Sequence, residues 1–248
     1  MRRISGYLVV LATLFIGCKN TQPKRFASLP LSKTGIEFKN TLTETPELNI
    51  LNYLYFYNGA GVAAADFNND GLVDLYFTAN QGADQLYLNK GDLQFQTITE
   101  QANINNVGNW TTGVTHVDIN HDGLLDLYIC KIGKYRSITG KNLLYVNQGV
   151  NKEGIPVFKE DAASYGLDFS GFSTQAAFFD YDLDGDLDMF LLNHSVHPNL
   201  TYGKGTQRLR PDPSSGDRLF QNNDDYFTDV SEEARIFQGR IGYGLGLT

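Results

Sequence analysis

Asp66-Phe67-Asn68-Asn69-Asp70-Gly71-Leu72-Val73-Asp74 decides how this 248-residue chain is read. The pattern returns as Asp118-Ile119-Asn120-His121-Asp122-Gly123-Leu124-Leu125-Asp126. It returns again as Asp180-Tyr181-Asp182-Leu183-Asp184-Gly185-Asp186-Leu187-Asp188. Each copy is D-x-[DN]-x-D-G-x-x-D. Oxygen-bearing side chains alternate along it, and a glycine follows the third. A short loop of this kind wraps a hard cation, calcium above all. Positions 1, 3, 5 and 9 supply side-chain oxygens, and position 7 supplies a backbone carbonyl. The first loop therefore offers Asp66, Asn68, Asp70, the Leu72 carbonyl and Asp74. The second offers Asp118, Asn120, Asp122, the Leu124 carbonyl and Asp126. The third offers Asp180, Asp182, Asp184, the Asp186 carbonyl and Asp188. Up to three calcium ions are expected.

An EF-hand is excluded by its own requirements. It needs a bidentate glutamate at position 12 and flanking helices. Position 12 is Phe77, Ile129 and Leu191 here, and the flanks alternate like strands. Gly61 to Ala65 leads into the first loop and Asp74 to Thr78 leads out of it. Gln85 to Asn89 and Phe95 to Thr99 make a third and a fourth strand. The second unit has Gly113 to Val117, Asp126 to Cys130, Asn142 to Asn147 and Val157 to Glu160. The third has Gln175 to Phe179, Asp188 to Leu192, Arg218 to Asn222 and Tyr226 to Val230. The tails Thr99 to Ile104 and Ser231 to Ile236 also correspond.

The loops start at Asp66, Asp118 and Asp180, intervals of 52 and 62 residues. Four strands per unit at such a period describe propeller blades. The expected fold is all-β, a partial β-propeller of about three four-stranded blades. The repeats run over about 59–104, 111–167 and 173–237, and 242–248 is expected to be the first strand of a fourth. The spacing grows mainly in the connection between second and third strands, longest at His194 to Asp217. Variable connections on one face of a repeat scaffold are where binding usually resides. A chain ending inside a repeat is expected to be the N-terminal piece of a longer protein, with the remainder of its propeller as a partner.

Residues 30–58 precede the first repeat. Ile36 to Phe38 alternates like a strand. Leu48 to Leu51 and Tyr53 to Tyr57 are apolar and aromatic, and are expected to pack against the first repeat.

The formal net charge is −8, and eleven carboxylates lie in the three loops. That balance argues against nucleic acid as a partner, since phosphate binding needs a basic surface. At the N-terminus, Arg2 and Arg3 precede an apolar run to Ile16, followed by Gly17-Cys18. Residues 1–18 are expected to be a lipoprotein signal peptide, with lipidation at Cys18. Residues 19–29 would be a tether, placing the protein in a bacterial cell envelope, on the periplasmic face or the cell surface. Cys130 is then the only other cysteine, expected to be buried in a strand.

The repeated loops and strands resemble the FG-GAP/VCBS repeat family, whose blades resemble the integrin alpha-subunit propeller. Gly61 to Gly71, Leu219-Phe220-Gln221-Asn222 and Phe227-Thr228-Asp229-Val230 are especially similar to the ASPIC/UnbV-associated bacterial branch. The resemblance covers residues 30–248 and implies a calcium-bearing propeller.

Other candidates are plainer. His194 and His197 lack a nearby third ligand and read as loop residues. Lys204, Arg208, Arg210 and Asp212 in the same insertion read as a solvated loop that could meet an anionic glycan. Trp110 and Tyr135 read as packing rather than sugar stacking. The sequence contains no G-x-S-x-G, no H-E-x-x-H and no phosphate loop. The expected function is non-enzymatic binding of a glycan or protein ligand. The alternative is an accessory scaffold of, or a catalytic propeller within, a polysaccharide-processing enzyme.

Overall fold

A computed structural model describes residues 26–196, 205 and 209–247. The expected signal peptide, Cys18, most of the expected tether, His197, Lys204 and Arg208 lie outside the described residues. Residues 31–247 carry the fold, and no described helix is long and apolar enough to cross a membrane.

The architecture is three four-stranded antiparallel sheets. The first contains β1 (Val62–Ala65), β2 (Asp74–Phe77), β3 (Gln85–Asn89) and β4 (Phe95–Thr97) in sequence order. The second contains β5 (Thr111–Val117), β6 (Asp126–Lys131), β9 (Leu143–Val150) and β10 (Pro156–Glu160). The third contains β11 (Ser173–Phe179), β12 (Asp188–Asn193), β13 (Arg218–Asn223) and β14 (Tyr226–Asp229). Each sheet is a meander, the form of a propeller blade. Among the described residues the blades do not close into a ring.

Alternation along the strands explains the stacking. In β6 all six residues are buried, because the middle blade is covered on both faces. Leu127 and Ile129 face the first blade, in a core with Phe67, Tyr76 and Leu86. Tyr128 and Cys130 face the third, in a core with Met189, Leu191 and Phe220. Cys130 is buried and unpaired, as its strand context suggested. The inner strands come very close. A Cβ at Gly113 would sit 2.2 Å from the Thr174 carbonyl oxygen, so only glycine fits there.

Each blade ends in the same turn. Ile104, Leu167 and Ile236 donate their N–H to the carbonyls of Thr99, Ala162 and Ser231, five residues back in each case. Asn103, Gly166 and Arg235 hold the left-handed conformation this needs. The second copy of the turn, Asp161 to Leu167, is hidden in sequence because its residues differ.

Three expectations are corrected. The segment 242–248 forms no strand over its described residues. It makes one bridge, Tyr243 to His194, and Ser195 N–H bonds the Gly242 carbonyl at 2.6 Å. Ile36 to Phe38 is not a strand either, and α1 (Leu31–Thr34) precedes it. Phe38 is used as a side chain, stacking on Phe77 with ring centroids 5.0 Å apart. Residues 48–56 do not pack mainly against the first repeat. Leu48, Tyr53, Tyr55 and Phe56 form a third core with Trp110, Ile132, Ile138, Phe172 and Val196, from the second and third repeats. The reason is geometric. The starts of the inner strands converge, and the preamble fills the space between them with aromatic rings.

The connection after β6 also contains a small hairpin, β7 (Lys134–Tyr135) with β8 (Ile138–Thr139). Tyr135 packs, as expected: its hydroxyl donates to the Asn52 carbonyl, and its ring meets Phe172 edge-on.

Candidate metal centre

The three acidic loops join the first and second strands of their blades, so all three lie at one end of the inner strands. Neighbouring loops touch. The Asn69 amide donates to the Gly123 carbonyl at 3.2 Å, and the Asn68 amide to that of Gly154 at 3.1 Å.

Their backbones are alike. Position 4 is left-handed in each, with φ of 57° at Asn69, 56° at His121 and 66° at Leu183. Position 6 is also left-handed, with φ of 87° at Gly71, 83° at Gly123 and 101° at Gly185. Two such residues in one tight turn explain the invariant glycine and the short side chains around it.

Position 1 closes the turn. Asp66 accepts the Asp70 and Gly71 N–H groups at 3.1 and 2.7 Å. Asp118 accepts those of Asp122 and Gly123 at 3.0 and 2.9 Å. Asp180 accepts those of Leu183 and Gly185 at 2.7 and 3.2 Å.

Position 9 behaves differently, because it is buried: Asp74, Asp126 and Asp188 are at most 1% exposed. One oxygen of each accepts the N–H of position 2, from Phe67, Ile119 and Tyr181 at 2.9–3.1 Å. The other accepts the N–H of an asparagine on the third strand. These are Asn89, Asn147 and Asn222, at 2.8, 2.7 and 2.9 Å. The carboxylate therefore clamps the loop to the blade. Burial lifts Asp74 and Asp126 to about 6, against the lowering effect of those N–H bonds. Asp188 is raised too, by burial first.

The third loop is the one in which three carboxylates converge. One oxygen from each of Asp180, Asp182 and Asp188 lies within 4.8 Å of the others, and no other such group occurs among the described residues. Asp184 turns to the Asp186 N–H at 3.1 Å. Asp186 Oδ1 is buried with no hydrogen-bond partner, and burial lifts that carboxyl to about 6.

In the first two loops position 3 is an amide. Asn68 and Asn120 point their NH2 groups at Asp70 and Asp122, 3.0 Å in both. Asp70 and Asp122 also cap Leu72 and Leu124, at 2.8 Å in both. An amide NH2 repels a cation, so metal binding there requires the amide to turn its oxygen inward. The donor set of the third loop fits a hard cation as it stands: all oxygen, with more negative charge than the other two.

Comparison with known proteins places this geometry. The family model for FG-GAP-like repeats matches residues 66–129. Residues 66–129 are an FG-GAP-like repeat. The match runs from the first residue of the first loop, through the second loop, to the second strand of the next blade. Relatives of this chain include cartilage acidic protein 1 from Homo sapiens, 30% identical over 154 residues. That alignment covers 60% of this chain and 22% of the human protein. The Mus musculus protein is 30% identical over 154 residues, covering 60% of this chain and 23% of that protein. The Xenopus tropicalis protein is 29% identical over 159 residues, covering 62% and 24%. The chain thus spans about a quarter of the relatives it matches or slightly less.

The third-strand asparagines Asn89, Asn147 and Asn222 are the site residues that sequence reasoning missed. Their signal was present, since each closes the third strand of its unit as the sequence bounds it, with Leu88-Asn89, Val146-Asn147 and Gln221-Asn222. Their varied distances from the loop, 15, 21 and 34 residues from the clamping aspartate, hid the link.

Proposed function

We propose that this chain is a calcium-stabilised propeller segment with a non-enzymatic binding role. In this reading it is exported and held in a bacterial cell envelope through lipidated Cys18. The observation that carries the metal part is the meeting of Asp180, Asp182 and Asp188 in the third loop. The common backbone of the other two loops extends the reading to them. Without a cation these carboxylates repel one another, by up to ~4 kcal/mol for a pair at 4 Å and an effective dielectric of ~20. Calcium suits such sites better than magnesium, which keeps more of its water.

Thermal melting in calcium and in chelator tests this. At about 100 times Kd, calcium adds ~2.7 kcal/mol per independent site. Asp182→Ala is expected to remove the third site's share and leave the others. Equal melting temperatures with calcium and chelator would end the calcium reading.

The pH dependence carries a sign. Asp74 and Asp126 titrate near 6 in the fold, against 3.8 as free groups. Their contribution is fully present below 3.8 and is lost as pH rises through about 6. The metal-free protein is therefore expected to melt at a higher temperature at pH 5 than at pH 7. Calcium needs deprotonated ligands, so the calcium-induced gain is expected to shrink over the same descent. Melting curves at both pH values, with calcium and with chelator, check both trends.

A further inference from the structure

At the opposite end of the inner strands from the acidic loops lies a cavity of about 280 Å³. Thr174 and Asp180 are six residues apart along β11 and its exit, so the two ends are separated by roughly 20 Å. The cavity is built from five parts of the chain: the stretch from Tyr53 to Gly61, Trp110 with Thr112, Thr174 with Gln175, His194, and Leu245. It lies on the side of the connections between second and third strands.

His194 organises it, and here the sequence expectation of a loop residue is corrected. The ring is 1% exposed. Its Nε2 bonds the Tyr53 hydroxyl at 3.1 Å and its Nδ1 the Thr174 hydroxyl at 3.0 Å. Tyr55 packs on the same ring, with centroids 4.0 Å apart. Burial pushes His194 down to about 3, so the ring is neutral at physiological pH. With both nitrogens committed, it orders the floor and is not a metal ligand.

Three properties define what fits. Among the described residues the lining contains no Asp, Glu, Lys or Arg. A charged ligand would lose its hydration and gain no counter-charge. The lining instead combines aromatic rings with amides and hydroxyls, as small-molecule sites do. Gln175 Nε2 reaches Thr115 only at 3.5 Å, and Asn58 is an exposed residue of the lining. These amides present both donors and acceptors. The volume lies just under the roughly 300–1,000 Å³ of pockets for drug-sized ligands, which suits one ring rather than several.

We propose that this cavity binds an uncharged, hydroxyl-rich ring of monosaccharide size, with Asn58 and Gln175 taking its hydroxyls and Tyr55 packing against its apolar face. The proposal rests on the binding role above and moves its ligand site from the insertion 194–217 to the cavity at that insertion's base. It does not depend on calcium affinity.

The test uses a convenience of this chain. Trp110 is its single tryptophan, and it lines the cavity. Emission is titrated with methyl glucoside, methyl galactoside, N-acetylglucosamine and glucuronate, and the same sugars are run in saturation-transfer NMR. A saturable response to a neutral sugar is expected, at least tenfold weaker for glucuronate. A matching disaccharide separates a free sugar from a chain end, and binding of either supports the assignment. Gln175→Ala and Asn58→Ala are each expected to weaken binding about tenfold with unchanged melting. Asn58 is exposed, so its variant remains informative if Gln175→Ala folds poorly. No saturable response to any neutral sugar by either method, or equal binding of glucuronate, overturns the proposal. Calcium melting is recorded on the same samples. A calcium shift without sugar binding removes the cavity assignment alone, and sugar binding without a calcium shift removes the metal reading alone.

Discussion

Replacing Asp126 with alanine is expected to remove about 3–5 kcal/mol of folding stability in chelator, and no less than that in calcium. The side chain is fully buried. It accepts the Ile119 N–H at 2.9 Å and the Asn147 N–H at 2.7 Å. Truncation strands both donors, and each unsatisfied buried donor costs about 1–3 kcal/mol. The damage also spreads, because the Asn147 amide donates to the carbonyls of Leu125 and of Phe67 in the first blade, at 3.2 and 2.9 Å. Asp182→Ala provides the contrast. Asp182 is exposed, and its hydrogen bond from Gln221 at 2.6 Å is also exposed. Its loss is expected to be felt mainly in calcium. Urea unfolding followed by circular dichroism, with calcium and with chelator, separates the two roles. If Asp126→Ala is harmful only in calcium, Asp126 is a ligand and not a clamp.

Trp110→Ala is expected to cost a similar ~3–5 kcal/mol, the usual range for deleting a buried indole. Trp110 is 2% exposed and meets Tyr53 edge-on at 5.4 Å and Phe56 at 5.2 Å. Its backbone is equally tied. Its N–H bonds the Asn80 carbonyl at 2.9 Å, and its carbonyl accepts the Ile132 N–H at 3.1 Å. Trp110 also sits at φ 56°, next to Asn109 at 55°. Alanine keeps that unfavourable left-handed conformation, so the substitution brings no relief. The loss should concentrate on residues 48–56, whose rings stand on the indole. Hydrogen exchange in the variant is expected to rise there first. Unchanged protection of 48–56 would show that the preamble is held by something else.

Much of this molecule was legible locally. Alternation of apolar residues marked twelve blade strands to within a few residues, because each blade packs at least one face on a neighbour and the period of two records it. The acidic loops were legible because their turn needs particular residues at particular places: glycine at a left-handed position and oxygen at position 1 to cap the turn. The burial of Cys130 and Trp110 followed from their surroundings in the same way.

Distance along the chain hid the rest. Tyr53 and His194 are 141 residues apart and share a hydrogen bond. Lys131 shows the same effect. It lies buried between the first two blades, bonded to Asn106, the Gly108 carbonyl and Thr111. Burial draws Lys131 down to about 8 and lifts nearby Asp84 to about 6. Neither residue had a local pattern to mark it.

By itself, then, the sequence determined the unit: four strands, an acidic loop, a closing turn and its repetition. These depend on backbone conformations and side-chain periods that span a few residues. Only the tertiary structure decided what the units enclose. It gave each acidic loop an exposed part and a buried clamp at Asp74, Asp126 and Asp188, and it brought the Asp188 clamp together with Asp180 and Asp182. It also turned an aromatic preamble and a lone histidine into the lining of a neutral cavity, because burial and partner choice depend on contacts that no local pattern encodes.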